Sequence, residues 1–101
     1  MDFADKYEAQ YGPNTLLTQF AGDAYGAWMV LNSAATRVLK TGAKPGTVEL
    51  RVALRDALEN TPELVVPNEV LNITKADHQG FDQRARVMGV IRNGKFSYAD
   101  Q

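Results

Sequence analysis

The sequence predicts an α/β protein, with helices in its first part and short strands in its last third. Two segments space their apolar residues three or four positions apart, which is the spacing of one helix face. Short apolar segments bounded by Pro, Asn and Gly follow, and Asn93-Gly94 is a strong signal for a two-residue hairpin turn. A length of 101 residues allows one domain or part of one.

The chain begins with a predicted helix from Asp2 to Tyr11. Phe3, Tyr7 and Tyr11 recur every four residues and therefore share a face. Gly12-Pro13-Asn14 is predicted to end this helix and to start a turn.

A short strand and a long helix are predicted next. Thr15 to Phe20 is apolar and suits a strand, although no similar strand lies nearby to pair with it. Asp23 is expected to cap a helix that runs to about Lys40, because its carboxylate suits the positive end of the helix dipole. Its buried face is predicted to comprise Ala24, Trp28, Leu31, Ala35 and Val38.

The second half is predicted to hold one more helix and then mostly strands. The helix spans Thr47 to about Glu59, and two short strands follow at Leu64 to Val66 and Val70 to Thr74. A polar turn covers residues 76–81, and a final hairpin joins Arg84–Arg92 to Lys95–Tyr98. A lone hairpin is marginal in water, so the chain lacks elements that would complete its sheet.

Composition excludes several functions. Lys and Arg number 11 and Asp and Glu number 12, so the net charge of -1 argues against nucleic-acid binding. The absence of cysteine excludes disulfides and thiolate chemistry, and a single histidine without an acidic cluster argues against a metal or other cofactor. No apolar segment is long enough to cross a membrane. Met1 is followed by acids and no signal-like segment, which predicts that the chain as written stays where it is made.

An enzyme site is not expected. His78 adjoins Asp77 and could act as a general base oriented by that carboxylate. Adjacent residues on a turn rarely face each other, and no serine is placed beside them to act as a nucleophile, so a structural turn is the favoured interpretation. Gly22 and Gly26 flank Asp23 without forming a nucleotide-binding glycine motif. The cations Arg84, Arg86, Arg92 and Lys95 could bind an anion or acidic partner, although a solvated strand face is the favoured interpretation.

The predicted strand, loop and helix around Phe20 form a candidate ligand site. Free backbone N–H groups at the start of a helix meet whatever lies above the preceding strand, and Phe20 could supply an apolar wall. An ordinary βα turn with Phe20 in the core is the favoured alternative on pattern alone. Trp28 is predicted to pack in the core, and Tyr25 to reach the cleft or to bond a backbone carbonyl.

Four phrases resemble one family in order along the chain. They are YEAQYG (7–12), FAGDAYGAW (20–28), KPGTVELRVALRDALENT (44–61) and LNITKADHQGFDQRARVMGVIRNGKF (71–96). Together they are similar to the C-terminal quarter of the solute-binding proteins of branched-chain amino-acid ABC transporters, which are type I periplasmic binding proteins.

The resemblance implies part of a two-lobed α/β fold: helix, strand, helix, helix, an edge strand and a C-terminal hairpin. Residues 1–83 would belong to the first lobe, and residues 84–101 would form the last crossover and a hairpin of the second. Phe20 would face the ligand side chain, and Ala21, Gly22 and Asp23 would line the interlobe cleft, with Tyr25 in a packing role. The groups that hold the ligand's carboxylate and ammonium would come from segments that this sequence does not contain.

The resemblance also implies partners and a location. The complete protein would be periplasmic, would bind an amino acid or an aromatic carboxylate, and would deliver it to the membrane subunits of an ABC transporter. The chain by itself would expose apolar faces and unpaired strand edges, so we expect a homo-oligomer. A small stand-alone α/β interaction module without a ligand site is the alternative.

Overall fold

Three helices and two separate two-stranded sheets make up the computed structural model, which describes residues 2–13 and 15–99. The elements are α1 (Phe3–Tyr11), α2 (Gln19–Leu39), α3 (Val48–Leu58), β1 (Leu64–Val66), β2 (Glu69–Leu71), a 3₁₀ helix (Gln83–Ala85), β3 (Gly89–Arg92) and β4 (Lys95–Tyr98). Both sheets are antiparallel hairpins, β1 with β2 and β3 with β4. The predicted α/β class is therefore confirmed.

Helix α1 begins and ends where the sequence predicts. Asp2 and Asp5 form a capping box, in which each carboxylate accepts the backbone N–H of the other residue. Gly12 ends the helix with φ at 95°, a conformation that favours glycine. The predicted turn ends at Asn14, which lies outside the described residues.

The predicted strand from Thr15 to Phe20 is wrong. Residues 15–18 have no regular structure, and α2 already begins at Gln19 with Thr18 as its N-cap residue. A strand needs a neighbour for its backbone groups, and none of the described segments pairs with this one. Asp23 consequently lies inside the helix and does not cap it.

The buried face of α2 is a row of small residues. It comprises Gly22, Gly26, Val30, Ala34 and Val38, so the predicted row is correct only at Val38. A side chain at Gly26 would place its Cβ 3.3 Å from Val66, which shows how closely β1 approaches the helix. Trp28 is 55% exposed, and its predicted place in the core is wrong because the small face, not the large one, packs inward.

Helix α3 lies within one residue of its predicted bounds at each end. It packs beside α2. The Thr47 hydroxyl caps it by accepting the N–H of Leu50. The Arg37 guanidinium of α2 donates to the carbonyls of Ala57 and Asn60, both at 2.8 Å, and so satisfies orphan acceptors at the end of α3.

The small core lies between α2 and the first hairpin. Val30, Val66 and Leu71 are buried there. Met29, Leu58, Leu64 and Ile73 pack around them. The predicted strand at Leu64–Val66 is confirmed, whereas β2 ends at Leu71 and Thr74 forms only an isolated bridge to Asn60.

The C-terminal hairpin forms later in the chain than predicted. The predicted strand from Arg84 to Arg92 begins only at Gly89, because Asp82 accepts the backbone N–H of Arg84 and starts a 3₁₀ turn. Asn93 and Gly94 both have positive φ, at 51° and 75°, which confirms the predicted hairpin turn.

The described residues extend over 55 × 33 × 19 Å, with a radius of gyration of 17.3 Å. About 13 Å is typical of a compact domain of 100 residues, so the chain is drawn out. No helix among the described residues has the length and apolar character that a membrane crossing requires.

Candidate functional site

The start of α2 is held by the turn between β1 and β2. The Asn68 side-chain amide donates to the Gln19 carbonyl at 2.9 Å and to the Asp23 carboxylate at 2.6 Å. Gly22 leaves the space for this contact, since a Cβ at that position would lie 2.5 Å from the Asn68 Oδ1 atom. The turn is thus fixed against the first turns of the helix.

A cleft with a volume of about 820 Å³ lies beside this contact. We call it the α2–β2 cleft. Its polar lining consists of Gln19, Asp23, Glu69, Gln79 and Arg86. Apolar walls come from α2, β2 and the segment around Phe81. An apolar cleft with a few polar groups is the usual form of a small-molecule site.

The cleft carries charges of both signs. Burial raises the pKa of the Glu69 carboxyl above its usual value, and the negative charge of Asp23 raises it further. Among the described residues, the exposed Arg86 guanidinium forms no ion pair with either acid. The cleft therefore offers both acceptors for an amine and a donor for a carboxylate.

The four residues predicted to bind ligand lie within the first five residues of α2 and not in a loop. Consecutive helix residues point about 100° apart, so they cannot share one wall. Phe20 is 76% exposed, Gly22 is buried against Asn68, and Asp23 lines the α2–β2 cleft. Ala21 lines a smaller groove against α1. Their part in ligand binding stays a prediction.

Tyr25 belongs to a row of aromatic rings that ties α1 to α2. Its ring stacks on Phe3 with centroids 5.0 Å apart and on Trp28 at 5.6 Å. Tyr7 and Tyr11 continue the row along α1. Among the outcomes predicted for Tyr25, packing is the one observed.

His78 and Asp77 do not form a catalytic pair. The Asp77 carboxylate accepts the backbone N–H groups of Gln79 and Gly80, which closes the turn. The His78 ring instead approaches Glu59, with Nε2 and Oε1 3.4 Å apart. In the described segments, no group of histidine and acidic residues has the arrangement of a metal site.

The four cations that the sequence singles out lie in three different surroundings and do not form one cluster. Arg84 pairs with Asp82 and Glu63, and these contacts raise the pKa of its guanidinium and lower that of the Asp82 carboxyl. Arg86 lines the α2–β2 cleft, whereas Arg92 and Lys95 face each other in the hairpin register.

Sequence reasoning missed three groups at the site. The sequence gives Asn68 and Glu69 no role, and it singles out Arg86 only as one of four cations that could bind an anion, apart from the predicted ligand site. Each reaches α2 or the cleft through contacts between residues far apart in sequence. The one local signal was the charge of Glu69 directly before the apolar residues Val70 and Leu71.

Comparisons with known proteins identify the class of fold. No protein-family model matches the chain, and no curated protein matches it. Among solved structures, an extracellular ligand-binding receptor from Rhodopseudomonas palustris HaA2 matches with a TM-score of 0.81 and 38% identity. An extracellular ligand-binding receptor from Rhodopseudomonas palustris and a protein from strain CGA009 of that species match with the same values.

The fold is thus part of an extracellular ligand-binding receptor fold. Each match covers 95% of this chain but only 26% of the solved protein, so the chain spans about a quarter of the length of these receptors. Sequence identity at this level over nearly the whole chain indicates homology. The similar proteins are described as ligand-binding receptors and not as enzymes.

Proposed function

We propose that this chain is the C-terminal portion of a substrate-binding receptor that serves an ABC transporter for amino acids or related small carboxylates. The observation that carries the proposal is the match of 95% of the chain, at 38% identity, to extracellular ligand-binding receptors. The complete receptor would work outside the cytoplasm and would deliver its ligand to membrane subunits of the transporter.

The mechanism is closure of two lobes on a ligand between them. We assign residues 1–83 to the first lobe and residues 84–101 to the second. With that boundary, the α2–β2 cleft is lined by the first lobe through Asp23 and Glu69 and by the second through Arg86. A ligand that contacts both sides binds the closed state better and shifts the lobes toward it.

Charge and apolar surface in the cleft fit a small zwitterion. The carboxylates of Asp23 and Glu69 can accept from a ligand amine, and the planar Arg86 guanidinium can donate to a carboxylate, in addition to the groups that the family resemblance places in segments outside this sequence. Phe20 lies at the start of α2 outside the lining of this cleft, and we propose that its exposed ring meets the ligand side chain once the lobes close, with Ala21 and Gly22 beside it on the helix. The remaining ligand contacts would come from other parts of the receptor.

The test is a chimera in which this chain replaces the matching quarter of the receptor from Rhodopseudomonas palustris HaA2. The melting temperature of the chimera is measured with leucine, isoleucine, valine, phenylalanine and small aromatic carboxylates. The parent receptor is measured with the same ligands for comparison. A ligand present at 100 times its dissociation constant should add about 2.7 kcal/mol of stability. Phe20→Ala should change the order of ligand preference, and Leu39→Ala, at the far end of α2, should not.

Two outcomes contradict the proposal. One is a chimera that melts cooperatively but responds to no ligand that stabilises the parent. The other is a clear ligand-induced shift of the chain alone that Phe20→Ala and Arg86→Gln leave unchanged. Folding of the chain by itself into a stable monomer, without any ligand response in the chimera, would favour the stand-alone interaction module.

A further inference from the structure

The C-terminal hairpin has one apolar face. In the β3–β4 register, Ile91 lies opposite Phe96 and Gly89 opposite Tyr98. Side chains alternate between the two faces of a strand, so these four positions share one side. We call Ile91, Phe96 and Tyr98 the apolar hairpin face; they are 69%, 88% and 58% exposed.

The opposite face of the hairpin combines one apolar residue with polar and basic ones. Val90 lies opposite Ser97 and Arg92 opposite Lys95 on that side. Such a pattern, with one apolar and one charged face, is typical of a sheet that is covered on one side and faces water on the other. The apolar hairpin face therefore has the composition of a surface that packs against protein.

The described residues leave this face uncovered. Neither β3 nor β4 makes an extensive contact with a helix or with the β1–β2 hairpin. The exposed Val87 extends the apolar surface at the base of β3, where it lines a shallow groove with Gly89, Phe96 and Tyr98. Because an isolated two-stranded hairpin is marginal in water, its stability in an assembled protein has to come from a covering partner.

We propose that the apolar hairpin face docks onto the polypeptide that forms the other three-quarters of the receptor. This inference rests on the proposed function, because it takes the chain to be one part of a receptor. The structural match leaves about 5% of the 101 residues unmatched, fewer than the eight residues of β3 and β4. At least part of the hairpin is thus shared with receptors about four times as long, and their additional chain is the occupant.

The test compares two substitutions on neighbouring residues that face opposite ways. In the chimera with the Rhodopseudomonas palustris HaA2 receptor, Phe96→Glu places a charge on the apolar hairpin face, and Lys95→Glu places the same charge on the basic face. Melting is measured without ligand. Phe96→Glu should lower the melting temperature by several degrees, and Lys95→Glu should leave it nearly unchanged.

A mixing experiment decides the matter where a chimera does not fold. The 101-residue chain is titrated with the Rhodopseudomonas palustris receptor from which the matching quarter has been removed. A complex should form, and Phe96→Glu should weaken it at least tenfold relative to Lys95→Glu. Absence of any complex would overturn the inference.

Two further results would also overturn it. One is a folded chimera in which both substitutions have the same effect. The other is a dimer of the isolated chain that Phe96→Glu dissolves although the chimera's melting is unchanged, since a second copy would then be the occupant. Ligand-free melting is independent of ligand binding, so failure of the proposed function and failure of this inference are separable.

Discussion

Small side chains determine how closely α2 packs against the first hairpin. Gly22 and Gly26 face the first hairpin, where a larger residue would strike Asn68 or Val66. The close approach that they permit lets the Asn68 amide bond both Gln19 and Asp23. The orientation of the helix, and with it the exposure of its aromatic residues, follows from these contacts.

Gly22→Ala and Asn68→Ala should be strongly coupled. The new Cβ forces the Asn68 amide away, which costs about 1 kcal/mol for each lost hydrogen bond. Alanine returns about 1 kcal/mol of helix propensity. Gly22→Ala alone should therefore be nearly neutral or destabilising, but should stabilise the Asn68→Ala variant by about 1 kcal/mol. Urea unfolding followed by circular dichroism measures the cycle.

A second cycle controls for general effects on the helix. Gly26→Ala meets Val66 and not Asn68, so its effect should add to that of Asn68→Ala. Simple additivity in the Gly22 cycle as well would show that the contact between Gly22 and Asn68 has no energetic consequence.

Glu69→Gln should raise the melting temperature at neutral pH. A raised pKa means that the folded state binds the Glu69 proton more tightly than the unfolded state, so ionisation costs the folded state above that pKa. The gain should shrink as the pH falls through the raised pKa, where Glu69 becomes neutral. Melting curves across the acid range measure it.

Asp82→Asn should behave in the opposite way. Hydrogen bonds from Arg84 lower the pKa of the Asp82 carboxyl, so its stabilising contribution is present above the unfolded-state pKa and is lost as the pH falls through the lowered one. The substitution should lower the melting temperature at neutral pH by a small amount, because the pair is exposed. The same pH trend in both variants would contradict the assignment.

Whole elements were predictable where their signals are local. The bounds of α1 and α3, the strand β1 and the Asn93-Gly94 turn all follow from caps, periodicity and turn residues within a few positions. The start of α2 was not, since an apolar segment of six residues suits either a strand or a helix until a partner is known. Within residues 2–13 and 15–99 no partner strand lies beside it, and the helix extends to Gln19.

The candidate site was predictable only in part for the same reason. Asp23 lines the α2–β2 cleft, but the expectation of a loop that lines it with four consecutive residues failed with the strand. Glu69 and Arg86 join Asp23 from positions more than 40 residues away in sequence. No local sequence pattern predicts that these three residues line one cleft, because their proximity depends on how the segments after α3 pack on α2.

Helix α1 should depend on a single ring for its attachment. Phe3→Ala removes the stack on Tyr25 and the contact with Tyr7, each worth about 1 kcal/mol. We expect several-fold faster hydrogen exchange of the α1 amides. Tyr11→Ala removes only the outer end of the row and leaves the Phe3 stack intact, so an equal effect of both substitutions would contradict this account.

At the scale of the whole molecule, the described residues bury little. In the part of the chain that the structure describes, five apolar side chains are buried, namely Val30, Ala34, Val38, Val66 and Leu71. Large apolar side chains remain exposed along α2 and the C-terminal hairpin. This distribution is that of one part of a larger fold, in agreement with the quarter of a receptor that the chain matches.

The isolated chain should self-associate through the exposed apolar side chains of α2. Phe20 and Trp28 are 76% and 55% exposed, and Leu31, which also lines the α2–β2 cleft, is 48% exposed, so pairing two copies removes apolar surface from water. Sedimentation velocity over a wide concentration range should show reversible oligomers, and Trp28→Ser with Leu31→Ser should shift them toward monomer. Val48→Ser, at an exposed apolar residue of α3, should leave the oligomers unchanged. A well-folded monomer at all concentrations would contradict the prediction, because it would show that these faces are stable in water without cover.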